Sequence, residues 1–262
     1  MTGCDANKMS VNSWNDNARV WNELMGDGSP FQSEVVDPVL EKMIPPVSNE
    51  TKIVEIGCGN GFLARRLAKQ GATVYAFDSS DIAIALAKDQ IPNHLKNNLY
   101  YKILDATKDS IDSKTIDVVI CNMCLMDIAE IKPIFQEAHK ILKNGGVLII
   151  SQTHPCFEKA VGPIFQEILE KDGISIHTCG VKVSHYLSPS CTRVKALPQL
   201  PTEHLFFHRS FTEIFQHAFE VGFVIDQFQE AAFPKNSKTK EHNGWHNLKE
   251  IPVIVGVRFR KL

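Results

Sequence analysis

The spacing of apolar residues changes along the chain and divides it into predicted elements. From residue 52 onwards, short apolar runs alternate with amphipathic segments of helical period. The apolar runs fall at 52–57, 72–77, 99–104, 116–121 and 146–151, and the amphipathic segments fall at 61–70, 80–90 and 131–143. Short β-branched runs between helical segments are typical of a parallel sheet covered on both faces. The pattern therefore predicts an α/β fold.

Two helices are predicted before this alternation. The first covers 13–25, where Trp14 and Trp21 share one stripe at helical spacing, and the second covers 33–43. Residues 1–12 are expected to fray. The two tryptophans are interpreted either as core anchors or as part of a lid.

The regular alternation stops after Ser151, and a long segment, 152–209, follows it. This segment contains one predicted helix, at 157–171, and the stretch "GISIHTCGVKVSHYL", whose alternation predicts a hairpin. It is too long for a plain crossover, which indicates a cap over the sheet.

The α/β pattern returns with a predicted helix at 210–221 and strands at 223–229 and 252–260. The polar stretch between the two strands is expected to be a surface loop. The predicted organisation is a helical lid, an α/β core, a cap and a C-terminal completion of the core sheet, at 1–50, 51–151, 152–209 and 210–262.

Composition and charge narrow the class of protein. A hydrophobic content of 44%, a charged content of 22% and a net charge of −2 leave no basic face, so nucleic acid is not an expected partner. The start "MTGCDANKMS" lacks the apolar core of a signal peptide and no apolar run reaches membrane length, which favours a cytoplasmic protein without a membrane partner. Seven cysteines do not indicate a disulfide framework, and Cys121 and Cys124 are interpreted as buried thiols with no metal site. Oligomeric state stays open.

The stretch "KIVEIGCGNGFLARRLAKQGATVYAFDSS" predicts a strand, a glycine turn, a helix, a second strand and an acid, which together indicate a nucleotide pocket. The glycines are Gly57, Gly59 and Gly61, and Phe62 stands where a dinucleotide fingerprint needs its third glycine. This pattern, preceded by Glu55, favours a single adenosine over NAD.

Two further acids follow predicted strands. Asp78 ends the second strand, where a carboxylate accepts both ribose hydroxyls. Asp105, followed by the small Ala106, comes just after the third strand and suits the exocyclic amine of adenine. Asn122 and Met123 end the fourth strand with a polar and apolar mix that suits a base face and a methionyl tail.

Together, "VEIGCGNG", Asp78, "DAT" and "LKNGGVLIIS" resemble the class I S-adenosylmethionine-dependent methyltransferases, and the likeness to a bacterial small-molecule group spans nearly the whole chain. The resemblance implies a Rossmann-like, mostly parallel seven-stranded sheet with an antiparallel last strand, S-adenosylmethionine as cofactor, and an N-terminal helix that closes over it. The cofactor-binding residues that it implies are Trp14, Trp21, Glu55, Gly57, Cys58, Gly59, Gly61, Asp78, Ser79, Asp105, Ala106, Asn122 and Met123.

The predicted reaction is in-line methyl transfer to a small-molecule acceptor, whose O, N, S or C nucleophile stays open. A general base is needed only where the acceptor must lose a proton. The candidate catalytic residues are His154, which follows the fifth strand, and His208. If neither histidine acts as a base, Asp127 and Tyr186 are the next candidates. An NAD-linked oxidoreductase and a non-catalytic binding module are the alternatives.

Overall fold

The computed structural model describes residues 3–111, 115–158, 163–240 and 244–262. Its helices are α1 (Gly3–Met25), α2 (Asp37–Met43), α3 (Phe62–Lys69), α4 (Asp81–Asp89), α5 (Lys132–Ile141) and α6 (Phe211–Glu220), and a π-helical turn over Gln32–Val36 leads into α2. None of the helices in these ranges is long and apolar enough to cross a membrane.

The strands follow the predicted order through the core. They are β1 (Lys52–Ile56), β2 (Thr73–Asp78), β3 (Leu99–Ile103), β4 (Ile116–Asn122), β5 (Leu142–Thr153), β6 (Ile164–Lys171), β7 (Ile174–Val181), β8 (Ser190–Val194), β9 (His204–His208), β10 (Phe223–Ala231) and β11 (Ile254–Lys261). Seven of them form one sheet in the order β10-β11-β5-β4-β1-β2-β3.

The sheet is parallel from β3 to β5, and β11 runs antiparallel to both of its neighbours. Helices cover both faces, so central strands are buried on each side. Ile53 and Ile120 belong to a core with α2, α3 and α4, whereas Val54 and Val119 belong to a core with α5 and α6. This two-sided burial explains the continuous apolar runs and confirms the predicted fold class.

The expectation that residues 1–12 fray is wrong for the residues that the structure describes, because α1 begins at Gly3. Two polar side chains hold this first part of the helix. Ala129 donates its backbone N–H to Asn7 Oδ1 at 2.7 Å, and Ser10 Oγ donates to the Asp127 carbonyl at 2.6 Å. Residues 1–2 lie outside the described ranges.

The predicted helix at 157–171 is also wrong. Its C-terminal half is β6, which pairs with β7 around a two-residue turn, and 159–162 lie outside the described ranges. Asp172 and Gly173 of that turn both have positive φ, at 52° and 73°. An Asp-Gly pair between alternating residues is a strong hairpin signal. It pairs β7 with β6, whereas the predicted hairpin paired β7 with the residues that follow it.

Cys121 and Cys124 are buried free thiols, as predicted. Cys124 Sγ lies 3.2 Å from the Ile56 carbonyl, to which it donates. Both side chains pack in the core on the α5 and α6 side of the sheet, so their role in the structure is packing.

Gly256 of β11 allows α2 to approach the sheet closely. A Cβ atom at this position would lie 2.9 Å from Met43 Sδ and would also collide with Val39 Cγ1. We expect Gly256→Ala to lower the free energy of unfolding by about 1–3 kcal/mol, because overpacking forces the helix outward. Chemical denaturation measures the change.

Val39→Ala provides the matched control for this substitution. In the double variant, the added methyl group occupies space that the valine vacated, so its loss of stability should be smaller than the sum of the two single losses. An additive double variant, or a Gly256→Ala protein as stable as the original, would contradict the close approach.

Candidate functional site

A cavity of about 180 Å³ lies at the carboxyl ends of β1, β2 and β4, beneath α1. This edge is where ligands bind in open α/β sheets. The residues that the sequence analysis assigned to the cofactor and that line the cavity are Trp14, Trp21, Glu55, Gly57, Cys58, Gly59, Asp78, Ser79, Asp105, Ala106, Asn122 and Met123. Their contacts with a cofactor stay predictions.

The glycine turn after β1 requires left-handed backbone. Gly57, Gly59 and Gly61 have φ of 70°, 53° and 75°, and a Cβ at Gly57 would lie 2.6 Å from Cys124 Cβ. Gly61, unlike Gly57 and Gly59, does not line the cavity, and its assignment to the cofactor stays a prediction. A Cβ there would collide with the Tyr101 hydroxyl, which donates to the Gly61 carbonyl at 2.9 Å. The lack of a side chain at Gly61 therefore allows the glycine turn to pack against β3.

Asp78 at the end of β2 holds the glycine turn. Its two carboxylate oxygens accept backbone N–H groups of Gly59 and Ser80, each at 2.8 Å. Removal from water raises the pKa of Asp78, and the amide hydrogen bonds oppose that rise. Each oxygen keeps further lone-pair capacity, so the carboxylate is able to accept hydroxyl groups from a ligand in the cavity.

Glu55 is the second acid of the cavity, and it is 2% exposed. Burial, together with the nearby charge of Asp78, raises the pKa of Glu55 to about 8. Its Oε2 atom is buried without a hydrogen-bond partner. A buried carboxyl oxygen without a partner is costly, which indicates that a ligand group, and a cation above all, belongs beside it.

The loops after β3 and β4 complete the floor of the cavity. Asp105 accepts hydrogen bonds from the Thr107 hydroxyl at 2.6 Å and from Lys108 Nζ at 2.9 Å. Burial raises the pKa of Asp105, but these hydrogen bonds outweigh it and hold the pKa below its ordinary value. After β4, Met123 adopts φ of 53°, an uncommon conformation for a residue with a side chain, of a kind that clusters at functional sites.

Helix α1 covers the cavity through one face. Trp14 and Trp21 pack edge to face with ring centroids 5.2 Å apart, and Asn7 and Ser10 also line the cavity. Asn17, lower on the same face, is bonded to both backbone groups of Thr202, at 3.0 and 3.1 Å. Apolar spacing alone does not reveal Asn7, Ser10 and Asn17, although positions 7, 10, 14, 17 and 21 recur at helical intervals.

Neither predicted catalytic histidine lines the cavity. His154 Nε2 lies 2.8 Å from Glu230 Oε1, and its Nδ1 accepts the Cys156 N–H at 3.2 Å. His208 is bonded to the Glu158 carboxylate through Nδ1, and its Nε2 donates to the Tyr186 carbonyl at 2.8 Å.

The ring nitrogens of both histidines are therefore occupied within the cap and the sheet edge. Burial lowers the pKa of His154 despite the charge of Glu230, whereas hydrogen bonds to Glu158 and Tyr186 outweigh burial and raise the pKa of His208. A position after a strand does not show which partner a side chain meets, and the catalytic roles of His154 and His208 stay predictions.

Comparison with known proteins gives three findings. Residues 54–150 match the family described as "Methyltransferase domain". The ubiquinone biosynthesis O-methyltransferase of Nitrosomonas europaea is 25% identical over 57% of this chain and 64% of its own length, and that of Rickettsia prowazekii is 30% identical over 55% of each. The chain thus spans less than two thirds of these curated relatives.

The third finding concerns solved structures. An S-adenosylmethionine-dependent methyltransferase from Mesorhizobium loti superposes with a TM-score of 0.67 over 86% of this chain and 96% of its own, at 22% identity. Sheet order defines a Rossmann-like fold with the cavity at the carboxyl edge of its parallel strands. The family match covers residues 54–150, and over that range the chain is similar to the methyltransferase domain.

The raised pKa of Glu55 predicts a pH-dependent stability. The folded state binds the Glu55 proton more tightly than the unfolded state, so this contribution is full below about pH 4.5 and is lost as the pH rises to about 8. Between pH 5 and pH 8, the melting temperature of Glu55→Gln relative to that of the original protein should rise by at least about 2 °C. Glu50→Gln, at an exposed position, should not gain. Parallel curves for Glu55→Gln and the original protein would show that Glu55 ionises normally.

Proposed function

We propose that this protein transfers the methyl group of S-adenosylmethionine to a small-molecule acceptor. The observation that carries the proposal is the presence of two acids, Glu55 and Asp78, in one buried cavity beside a glycine turn. S-adenosylmethionine has both a ribose diol and an amino-acid ammonium group. NAD has two ribose diols but no ammonium, so the buried Glu55 oxygen without a partner favours the methyl donor.

The proposed contacts follow the cavity from β2 to β4. Asp78 and Ser79 bind the ribose, and the Asp105–Ala106 pair meets the adenine. Glu55 binds the ammonium group and becomes ionised as it does so, because a cation in contact stabilises its charged form. Asn122 and Met123 lie at the opposite wall, towards the donor sulfur. Gly57, Cys58 and Gly59 frame the methionyl part with their backbone.

The cofactor supplies a methyl group that is already activated on a sulfonium. The work of the chain is to align the acceptor with that group and to exclude water, which is the largest contribution that a protein makes to a displacement of this kind. Trp14 and Trp21 of α1 cover the cavity, and Asn7, Ser10 and Asn17 hold the helix in place. We therefore propose that α1 is the lid that shields the reaction.

The acceptor is proposed to be a small molecule that meets the cavity from the side of the cap. The named O-methyltransferase relatives support an oxygen nucleophile. The net charge of −2 supports an acceptor other than nucleic acid. The free buried cysteines support a reducing, cytoplasmic location.

Calorimetry tests the choice of nucleotide directly. S-adenosylmethionine and S-adenosylhomocysteine should both bind, and NAD should not, because it cannot meet Glu55. Asp78→Ala should weaken binding at least about tenfold, since hydrogen bonds to a charged group contribute roughly 1.5–3 kcal/mol each.

Asp89→Ala is the matched control for Asp78→Ala, because it removes an exposed acid from the far end of α4. It should bind both nucleotides like the original protein. Tighter binding of NAD than of S-adenosylhomocysteine would contradict the proposed function. Normal binding by a folded Asp78→Ala variant would remove Asp78 from the site.

A further inference from the structure

Asp127 lines the cavity and has a buried histidine behind it. His204 of β9 is 3% exposed, and its Nε2 lies 3.5 Å from Asp127 Oδ1. The imidazole also packs against Trp14, with ring centroids 4.7 Å apart. The lid helix, the loop after β4 and the cap thus meet at this pair.

Both side chains of the pair hold polar atoms without partners. Asp127 Oδ1 and His204 Nδ1 are buried and have no hydrogen bond. Such atoms are costly in a folded protein unless they serve a ligand or a reaction. Besides Glu55, the pair is therefore a second place at the cavity where buried polar atoms are available to form hydrogen bonds with a ligand.

Burial favours the neutral form of both members of the pair. Burial, and after it the charge of Asp78 on β2, raises the pKa of Asp127 well above its ordinary range. Burial lowers the pKa of His204 to about 4. The Cys124 thiol beside them is uncharged because its pKa is raised. The guanidinium of Arg209 packs on the same loop but donates to the carbonyls of residues 125, 128 and 129.

Resting on the proposed function, we propose that Asp127 takes the proton of a hydroxyl acceptor and that His204 is its positioning residue. Asp127 is then ionised while the donor's sulfonium is in the cavity, with neutral His204 donating Nε2–H to the carboxylate. The acceptor class is a hydroxyl of phenol or enol type. A neutral amine or an already ionised thiol has less need of such a base.

The step balances in atoms and in charge. The acceptor oxygen forms a bond to the methyl carbon, the carbon–sulfur bond breaks, and its electron pair stays on sulfur. The hydroxyl proton passes to the Asp127 carboxylate. A cation and an anion become two neutral groups, so the step does not change the net charge of the cavity and leaves no newly unpaired charge there.

Proton release on binding tests this role without a known acceptor. Calorimetry in two buffers of different ionisation enthalpy gives the number of protons released. Near neutral pH, S-adenosylmethionine should release about one proton more than S-adenosylhomocysteine, because only the former carries the sulfonium. Asp127→Asn should abolish that difference and should lower the preference for the sulfonium ligand at least about tenfold.

Glu55→Gln distinguishes the contribution of Glu55 to proton release from that of Asp127. Glu55 faces a group that both ligands share, so its substitution should reduce the protons released with each ligand and leave the difference between the ligands intact. Loss of the difference in Glu55→Gln, with the difference kept in Asp127→Asn, would assign the sulfonium to Glu55 and overturn the proposal.

His204 is tested by a pair of substitutions. His204→Leu removes the Nε2–H donor and should shift the proton release linked to S-adenosylmethionine to higher pH, whereas His204→Gln, which keeps an N–H donor, should restore most of it. Melting temperatures confirm that each variant is folded. A folded His204→Leu protein with an unchanged pH profile would make His204 a packing residue only.

The outcomes separate this inference from the proposed function. Binding of both ligands with equal proton release leaves the methyltransferase in place and overturns the role of Asp127, whereas failure of both ligands to bind overturns both. A panel of phenols, thiols and amines with radiolabelled donor tests the acceptor class. Phenol methylation should fall about 10²–10⁴-fold in Asp127→Asn. Turnover with thiols or amines alone would contradict the hydroxyl acceptor.

Discussion

The carboxylate of Asp78 is the contact on which the site depends. It stands at the end of β2 and accepts the backbone N–H groups of Gly59 and Ser80, so it joins the glycine turn after β1 to the start of α4. The Gly57 and Cys58 amides reinforce this junction, because both donate to the Phe77 carbonyl of the same strand. A single half-buried acid therefore shapes the turn and keeps lone pairs for a ligand.

Close approach explains the rest of the turn. Cys124 packs beneath Gly57 and Tyr101 beneath Gly61, so the loop after β4 and strand β3 each touch the turn at a position where a side chain does not fit. The glycines thus have two different uses. Gly57 and Gly59 open the backbone to the cavity, whereas Gly61 lets the turn rest on the sheet. The G-x-G-x-G pattern by itself does not separate these uses.

Polar contacts help to hold the roof of the cavity in place. Asn7, Ser10 and Asn17 on α1 bind backbone groups of the loop after β4 and of the cap. Individual hydrogen bonds of this kind add about 0.5–1.5 kcal/mol each to the stability of the fold.

The antiparallel last strand was implied by the family resemblance, whereas the sequence by itself determined the parallel sheet and the acids and glycines at its carboxyl edge. These follow from local period and from positions at strand ends, which one stretch of chain specifies. Only the tertiary structure decided which side chains meet. The turn at Asp172 and Gly173 forms a hairpin where a helix was expected. Glu158 and Glu230 form hydrogen bonds with His208 and His154, the two expected catalytic histidines. His204 of the cap, distant in sequence, lies next to Asp127. Such pairings depend on how separate segments pack, and the period of any one segment carries no information about its partner.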